Sequence, residues 1–256
     1  MTRITITGSG SACGVPYVGG GFGHADNANP KNIRTRCAAR FETSDGDFLV
    51  ECGPDFRSQT WLNKITSIDN IFLSHGHADH IIGIWELPGY VLFRGGKPVN
   101  VYGSEQTLTE VKRIFPFIFA EEKPVRVVLN EVKAFTEFTF SGTSATVTPL
   151  PFVHQNMNPL GFKYKKTVYT PDFCTFPDPV GDYLKDLDLW IMELTTRNDI
   201  GRGHNCLNRL YALLEKYQPR KCVLNHLSDD IDYDTVSALL PANTELAYDG
   251  MVIDLP

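Results

Sequence analysis

Seven residues at positions 74–80 constrain the fold and chemistry of this chain more than any other stretch. They read Ser-His-Gly-His-Ala-Asp-His, so that three imidazoles and one carboxylate lie within six residues. The apolar run at 70–73 precedes them and is typical of a buried strand. Imidazole nitrogen and carboxylate oxygen are the ligands that suit Zn²⁺ and related divalent ions. The pattern therefore predicts a metal site at the end of a strand.

The spacing within this stretch divides its ligands into two pairs. A turn at the end of the strand aims His75 and His77 at one point. Asp79 and His80 fall at the start of a following helix, which aims them at a second point. A single histidine is usually an ordinary core or surface residue, but three histidines and an aspartate at this spacing indicate metal binding.

Three further residues end predicted strands and extend the ligand set. His154, Asp172 and His226 each follow an apolar run. Rigid strands with variable loops at their ends are a common support for binding residues. Taken alone, none of the three indicates a ligand. Together with residues 74–80, they supply what a second metal ion needs.

The composition is that of a folded, acidic chain. The 256 residues include 24 Lys plus Arg against 30 Asp plus Glu, a formal net charge of -6, and 42% are hydrophobic. These figures exclude intrinsic disorder, collagen-like repeats and a coiled coil. The acidic balance argues against a protein that coats nucleic acid or an anionic membrane. Because no repeat or linker is evident, we expect one domain over residues 1–256.

The six cysteines are spread along the chain without a Cys-x-x-Cys pair. This spacing argues against a disulfide framework or a zinc ribbon, so we expect reduced, mostly buried thiols and a cytoplasmic location. The alternating residues 3–7 near the start indicate a strand and not a leader segment. No run of about 18 apolar residues is present to span a membrane.

The coarse pattern predicts a layered α/β protein in which strands and helices occur in both halves. A glycine-rich loop at 9–31 follows the first strand. Further strands are expected at 37–43, 47–52, 70–74, 99–102, within 125–153, near 162–170, and at 188–194 and 221–225. Helices are expected at 55–65, at 104–119 after a Ser104 cap, at 205–217 and at 233–240.

On these residues the chain resembles the metallo-β-lactamase superfamily. The resemblance rests on residues 74–80 and the ordered downstream ligands, and it covers essentially the whole chain. It implies an αββα sandwich, in which helices flank two mixed β-sheets, and a cofactor of two divalent metal ions, Zn or Mn. In the implied arrangement one metal takes His75, His77 and His154, the other takes Asp79, His80 and His226, and Asp172 bridges them.

Residues 8–16 and 202–208 narrow the resemblance to the phosphodiesterase branch. That branch includes tRNA 3′-processing nucleases and the cyclic-phosphate phosphodiesterase of the carbon–phosphorus lyase pathway. Length and motif order are most similar to the cyclic-phosphate enzyme. The resemblance implies catalytic roles for Asp79 and His204. His204 is a candidate general acid, or a group that stabilises the charge of the phosphorane.

This sequence differs in three places from the cyclic-phosphate enzyme and its branch, and the differences change what we expect for its metals and substrate. Residues 19–29 contain no Cys where the cyclic-phosphate enzyme has a Cys-rich zinc-binding insertion, so no third zinc is expected. Glu51 stands where the family usually has an Asp. No long basic arm for gripping tRNA is evident, so a polymeric nucleic acid is not the expected partner.

The leading hypothesis is a dimetal phosphodiesterase that cleaves a small cyclic or nucleotide phosphodiester with a metal-bridging hydroxide. Arg34 and Arg36 are candidates for substrate binding, because guanidinium groups bind phosphate well. His24, in the glycine-rich loop, is a further candidate. The alternatives are a carboxylic-ester, thioester or lactone hydrolase on the same metals, a tRNA 3′-processing nuclease, and a non-catalytic binding protein, against which the intact ligand set argues. The resemblance also implies a homodimer.

Overall fold

Two mixed β-sheets pack face to face, and helices cover the outer side of each. The structure is a computed structural model and describes residues 1–120, 126–201 and 203–256. In these residues each sheet has seven strands, and no described helix is long and apolar enough to cross a lipid bilayer. This is the αββα sandwich expected from the sequence.

The first sheet comes mainly from the N-terminal half and is closed on one edge by the last strand of the chain. Its strands are β1 (Thr2–Gly8), β2 (Ala38–Thr43), β3 (Gly46–Val50), β4 (Asn70–Phe72), β5 (Val99–Gly103), β6 (Val127–Glu131) and β14 (Met251–Leu255). Their spatial order is β14-β1-β2-β3-β4-β5-β6. Strands β3 to β6 run parallel to one another, while β1 is antiparallel to both of its neighbours.

The second sheet comes from the C-terminal half. Its strands are β7 (Phe138–Thr139), β8 (Thr146–Pro151), β9 (Leu160–Tyr164), β10 (Thr167–Tyr169), β11 (Leu189–Glu193), β12 (Lys221–Asn225) and β13 (Thr244–Leu246). Their spatial order is β13-β12-β11-β10-β9-β8-β7. Strands β10 to β13 are parallel, and β7 to β10 pair antiparallel.

The helices are short and divide between the two outer faces. Against the first sheet lie α1 (Phe56–Leu62), α2 (Ala78–Ile81), α3 (Leu87–Phe93) and α4 (Glu105–Ile114). Against the second lie α5 (Val180–Tyr183), α6 (Leu207–Tyr217) and α7 (Tyr233–Ser237). Two 3₁₀ segments, Pro30–Asn32 and Ile82–Glu86, complete the described helical turns.

The apolar core has three layers, one between the two sheets and one beneath the helices of each sheet. Strand residues that point alternately to the two faces of a sheet contribute to two of these layers. In β11, Leu189 and Ile191 face the layer between the sheets, whereas Trp190 and Met192 face the helices of the second sheet. Successive side chains of a strand point to opposite faces, and burial on both faces makes β11 continuously apolar until Glu193. The helix layer on this side is therefore part of the core.

Most predicted elements are confirmed, with shorter bounds. The helix expected at 205–217 is α6, and Ser104 caps α4 by accepting a hydrogen bond from the Thr107 amide at 3.2 Å. The glycine-rich loop contains no strand, as expected. The single strand expected near 162–170 is wrong: β9 and β10 form a hairpin that turns at Lys165 and Lys166, where Lys165 has a positive φ of 51°. The strand-like region from 125 contains three separate strands, and residue 125 itself lies outside the described residues.

The parallel strands of the second sheet end at the same edge of that sheet. In the second sheet Tyr169 pairs with Ile191, and Glu193 pairs with Asn225. Because β10, β11 and β12 are parallel and in this register, the residues that follow them lie side by side. This edge faces the end of β4, which is also a parallel strand.

Candidate metal centre

All seven predicted ligands lie at the ends of strands or in the short helix α2. Six of them are buried, and His77 is partly exposed. His75 and His77 follow β4, Asp79 and His80 lie in α2, His154 follows β8, Asp172 follows β10, and His226 follows β12. Their side chains converge in two clusters that share Asp172. One contains His80 and His226 together with Cys37, and the other contains His75, His77 and His154. Asp79 lies beside His80 and His226 in the first cluster.

Four buried atoms in one cluster have no hydrogen-bond partner among the described residues. They are Asp79 Oδ2, His80 Nε2, Asp172 Oδ1 and His226 Nε2. His80 Nε2 lies 3.1 Å from Asp79 Oδ2 and 3.7 Å from Asp172 Oδ1. His226 Nε2 lies 3.2 Å from Asp172 Oδ1 and 3.6 Å from Asp79 Oδ2.

These distances are those of a cation cage. In a tetrahedral site with bonds of about 2.0–2.1 Å, neighbouring ligand atoms lie about 3.3–3.4 Å apart. Leaving four polar atoms buried and unpaired is costly, because each loses its hydrogen bonds to water without replacement. A divalent ion bound among them satisfies all four, so the residues present fit the group that the sequence predicts.

The second cluster contains His75, His77, His154 and Asp172. His75 Nε2 lies 2.9 Å from His77 Nδ1, and His154 Nε2 lies 4.0 Å from Asp172 Oδ2. Asp172 therefore directs Oδ1 to the first cluster and Oδ2 to the second. This is the placement that a bridging carboxylate requires.

The outer nitrogen of three imidazoles is held by the surrounding protein. Ser74 Oγ lies 2.9 Å from His75 Nδ1, and Thr195 Oγ1 lies 2.9 Å from His226 Nδ1. The His154 Nδ1–H donates to the carbonyl of Gly203 at 2.8 Å. Such contacts fix the ring orientation of a metal-binding histidine and leave Nε2 as the ligand atom.

Glu51 supports His80 despite being one methylene longer than the expected aspartate. Its Oε1 lies 3.3 Å from His80 Nδ1, and its Oε2 accepts a hydrogen bond from the Ser74 amide at 3.2 Å. Glu51 has a positive φ of 67°, which is uncommon for a residue with a side chain. The carboxylate thus lies beside His80 and the first turn of the 74–80 stretch.

Mutual electrostatics perturb the pKa values of the cluster. Burial lowers the pKa of His226, but Asp172, Asp79 and Glu193 outweigh it and raise that pKa to about 9. Burial favours the neutral carboxyl of Asp79, yet the imidazoles His80 and His226 hold its pKa well below the ordinary value. Burial followed by the proximity of His80 lowers the pKa of His75. The carboxylates of Asp79 and Asp172 therefore favour positive charge within the first cluster.

His204 lies beside the centre and is held by a carboxylate that the sequence analysis did not identify. Glu193 Oε1 lies 2.5 Å from His204 Nδ1, and it also accepts a hydrogen bond from the Thr195 hydroxyl at 2.6 Å. The His204 and His154 rings are 4.5 Å apart. The sequence did offer a signal for Glu193, because it is the one acidic residue at the end of the apolar strand β11. Asp172 and His226 were predicted from the same kind of position, at the end of an apolar run.

A cavity of about 430 Å³ opens onto the metal centre. The centre contributes His204 and His226 to its wall, and the glycine-rich loop contributes His24 and Tyr17. The remaining lining residues are polar or small for the most part: Ser11, Ala12, Cys13, Thr195, Thr196, Asn198, Ile200, Ser228, Asp229 and Asp230. The volume suits a small ligand.

The two predicted substrate-binding arginines are engaged in internal contacts. Arg34 is only 2% exposed, and its guanidinium donates to the carbonyl of Ser228 at 2.9 Å and to Asn32 Oδ1 at 2.7 Å. Arg36 pairs with the Asp55 carboxylate at 3.1 Å. Neither lines the cavity beside His204. Their contacts tie the glycine-rich loop to its surroundings, and a substrate contact from either stays a prediction.

Comparison with known proteins defines the family. Residues 47–227 match the family model of the beta-lactamase superfamily domain. The match spans well over half of the chain, which therefore belongs to the beta-lactamase superfamily.

Individual relatives are similar over the whole chain or over part of it. A solved diphosphatase from the PhnP family is 26% identical, with a TM-score of 0.89 over 100% of this chain and 98% of that one. An octanoyltransferase from Porphyromonas gingivalis is 25% identical over 97% of this chain and 51% of that protein. A ribonuclease Z from Methanococcus maripaludis is 40% identical over 43% of this chain and 36% of that protein. The chain thus spans about half of the first curated relative and about a third of the second.

Proposed function

We propose that the chain is a metal-dependent phosphodiesterase with a dinuclear centre. The observation that carries this proposal is a set of four buried ligand atoms without hydrogen bonds, in which the imidazole nitrogens of His80 and His226 lie 3.1–3.7 Å from the carboxylate oxygens of Asp79 and Asp172. The second ion is held by the three remaining histidines, with Asp172 between the two. The proposed ligand set is His75, His77, Asp79, His80, His154, Asp172 and His226.

The donor set of imidazole and carboxylate suits Zn²⁺ or Mn²⁺. Ions bound at these residues supply a hydroxide at neutral pH and neutralise charge on phosphate oxygens. Metal analysis of protein purified without chelator measures the number of ions bound per chain. Two ions per chain are expected, and a chain that binds none at these residues contradicts the proposal.

The protein's own residues position the substrate and handle the proton of the leaving group. His204 lines the cavity beside the ligands, where its imidazolium donates a proton to the leaving alkoxide. Glu193 orients that ring through Nδ1. Asp79 contributes as a ligand and as a negative charge facing both His80 and His226.

The substrate class that we propose is a small cyclic or nucleotide phosphodiester. Similarity to a PhnP-family diphosphatase along the full chain supports it, as does a cavity of about 430 Å³ beside His204. The net charge of -6 offers little attraction for a polymer of phosphates. The experiment compares turnover of a 2′,3′-cyclic mononucleotide with cleavage of a precursor tRNA at moderate salt. Faster, salt-insensitive cleavage of the tRNA contradicts this choice and favours the nuclease, the activity named for the ribonuclease Z relatives.

A second candidate activity, hydrolysis of an ester, thioester or lactone on the same metals, is favoured by one observation. The relative that matches 97% of this chain is named an octanoyltransferase, although half of that protein lies outside the match. A metal-supplemented screen separates the candidates. It compares bis(p-nitrophenyl) phosphate, 2′,3′-cyclic nucleotides, a lactone and a thioester.

We also propose that residues 1–256 act as one domain in the cytoplasm. The core between the sheets contains residues from both halves of the chain, such as Phe48 and Phe162, whose rings are 5.7 Å apart. The six cysteines are free, and Cys37, Cys52, Cys206 and Cys222 are buried. Free thiols are typical of a reducing compartment.

A further inference from the structure

The cavity at the metal centre has walls of different charge. His204 and His226 lie on the side of the centre, whereas Asp229 and Asp230 line the side next to the glycine-rich loop. No lysine or arginine lines this cavity among the residues that the structure describes. Away from the metal ligands, a bound molecule therefore meets carboxylates and neutral polar groups.

Of the two carboxylates, Asp230 is already paired with a cation. Its Oδ1 lies 3.3 Å from Arg197 Nε and 3.1 Å from His24 Nδ1. Its Oδ2 accepts a hydrogen bond from the Arg197 amide at 2.7 Å. Because the guanidinium of Arg197 offsets the charge of this carboxylate, Asp230 adds little net charge to the cavity.

Asp229 lacks such a counter-charge. Its Oδ1 accepts a hydrogen bond from the neutral Tyr17 hydroxyl at 2.6 Å, and its carboxylate forms no ion pair with another residue of the described ranges. The glycine-rich loop fixes its position, because the Asp229 carbonyl accepts a hydrogen bond from the His24 amide at 2.9 Å. The carboxylate also lies against Gly23, where a Cβ would come within 2.0 Å of Oδ2. The cavity therefore contains one fixed carboxylate without a cationic partner.

We propose that Asp229 is a specificity-determining residue. It selects phosphodiesters in which the rest of the molecule is uncharged and bears hydroxyl groups, as a ribose does, and it rejects those with a second phosphate. The inference rests on the proposed phosphodiesterase function, in which the reacting phosphate lies at the metal centre. A sugar hydroxyl donates a hydrogen bond to the carboxylate, and hydrogen bonds to a charged acceptor are the stronger kind. A second phosphate near Asp229 instead brings two negative charges together.

The neutral part of the lining suits a group of this kind. Thr196, Asn198 and Ser228 carry hydroxyl and amide groups, which can donate hydrogen bonds to sugar hydroxyls or accept them. None of these groups supplies the positive charge that a second phosphate requires. Specificity built in this way depends on repulsion of the wrong ligand as well as on contacts with the right one.

Two substrates that differ by a single phosphate test the proposal in the full chain loaded with metal. One is a 2′,3′-cyclic mononucleotide with a free 5′-hydroxyl, and the other is its 5′-phosphorylated form. The wild-type chain should have a kcat/KM on the order of tenfold higher for the first. Asp229→Asn keeps the shape of the side chain and removes its charge. The ratio should therefore fall several-fold, mainly through a lower KM for the phosphorylated substrate.

Asp182→Asn is the matched control, because Asp182 is an exposed residue of α5 and does not line the cavity. It removes the same charge from the chain and should leave the ratio unchanged. A purely structural role of Asp229 would lower turnover of both substrates alike and would not change their ratio. Added salt screens the repulsion, so it should narrow the preference of the wild-type chain more than that of Asp229→Asn.

Circular dichroism and metal content verify that every variant is folded. Should Asp229→Asn fail to fold, Tyr17→Phe is the second variant, because it removes the hydroxyl that donates to Asp229 and leaves the carboxylate. Its preference for the unphosphorylated substrate should persist, and loss of that preference contradicts the proposal. Equal kcat/KM values in the wild-type chain, or an unchanged ratio in Asp229→Asn, overturn the inference and leave the phosphodiesterase function intact. A chain that hydrolyses neither substrate overturns the proposed function and the inference with it.

Discussion

Glu193 Oε1 lies 2.5 Å from His204 Nδ1 at the point where β11 ends beside the metal centre. The other oxygen of Glu193 accepts a hydrogen bond from the Phe173 amide at 2.6 Å, so the carboxylate is fixed by the backbone next to Asp172. A buried carboxylate with its partners fully specified holds an imidazole in one orientation. The pair links the proposed proton donor to the same segment that carries the bridging ligand.

Glu193→Gln should lower kcat by about 10- to 100-fold while leaving two metal ions per chain. The amide keeps the shape of the side chain but forms a weaker hydrogen bond to the His204 ring than the carboxylate does. Steady-state kinetics and metal analysis of the purified variant measure the two effects. Loss of metal together with activity would show that Glu193 serves the ligands and not His204.

His204→Ala should lower kcat strongly without changing metal content, because no ligand atom is removed. The loss should be smaller for a substrate with a good leaving group such as p-nitrophenolate, which needs little protonation. Kinetics with a matched series of alkyl and aryl phosphodiesters measure this dependence. Equal losses across the series argue for a positioning or electrostatic role instead.

A variant that removes one ligand from one cluster should lose the metal ion of that cluster and keep the other ion. His77→Ala affects the cluster of His75 and His154, whereas His226→Ala affects the cage with four unpaired atoms. Each variant should retain about one ion per chain and lose nearly all hydrolysis, because the two ions act together. Elemental analysis after gel filtration provides the count, and His24→Ala, in the loop and outside both clusters, provides the control. Two ions retained in both variants contradict the assignment.

Glu51→Asp should weaken metal binding at the His80 side by about 10- to 100-fold. The shorter side chain withdraws its carboxylate from His80 Nδ1, which lies 3.3 Å from Oε1, so the ring loses its orientation. Competition with a chelator of known affinity measures the change. Unchanged affinity would show that the backbone adapts to either length.

The charged form of Asp232 should stabilise the folded protein, so that protonation of Asp232 in acid lowers the stability. It caps α7 by accepting from the Thr235 amide at 2.9 Å, and it accepts from Asn32 Nδ2 at 2.8 Å in the segment that follows the glycine-rich loop. Partial burial raises its pKa, but hydrogen bonds from Thr235, Asp26 and Asn32 outweigh this and hold the pKa below the ordinary 3.8.

Because the folded-state pKa is the lower one, this stabilisation is complete above about pH 5 and is lost as the pH falls below 4. Asp232→Ala should cost about 1 kcal/mol of unfolding free energy at pH 7, the usual value of a helix cap, and less at low pH. Urea unfolding of both proteins at neutral and acidic pH measures the difference. An equal deficit at every pH contradicts the role of the charged form.

The sequence by itself determined the layering of this protein and the family to which it belongs. Helix α6 and a layered α/β protein follow from local patterns, whereas the αββα sandwich and the assignment of the seven ligands to two metals came from the resemblance that residues 74–80 carry. His204 was predicted from the resemblance of residues 202–208 to the phosphodiesterase branch.

Only the tertiary structure decided which polar residues serve the centre and which hold the chain together. Arg34 appeared suited to bind phosphate, yet its guanidinium contacts Ser228, 194 residues away. Glu193 appeared to be an ordinary residue at the end of a strand, yet the parallel register of β11 and β12 places it beside His204 and His226. The physical reason is that a side chain's hydrogen-bond partners depend on strand order and register, which local propensity does not encode.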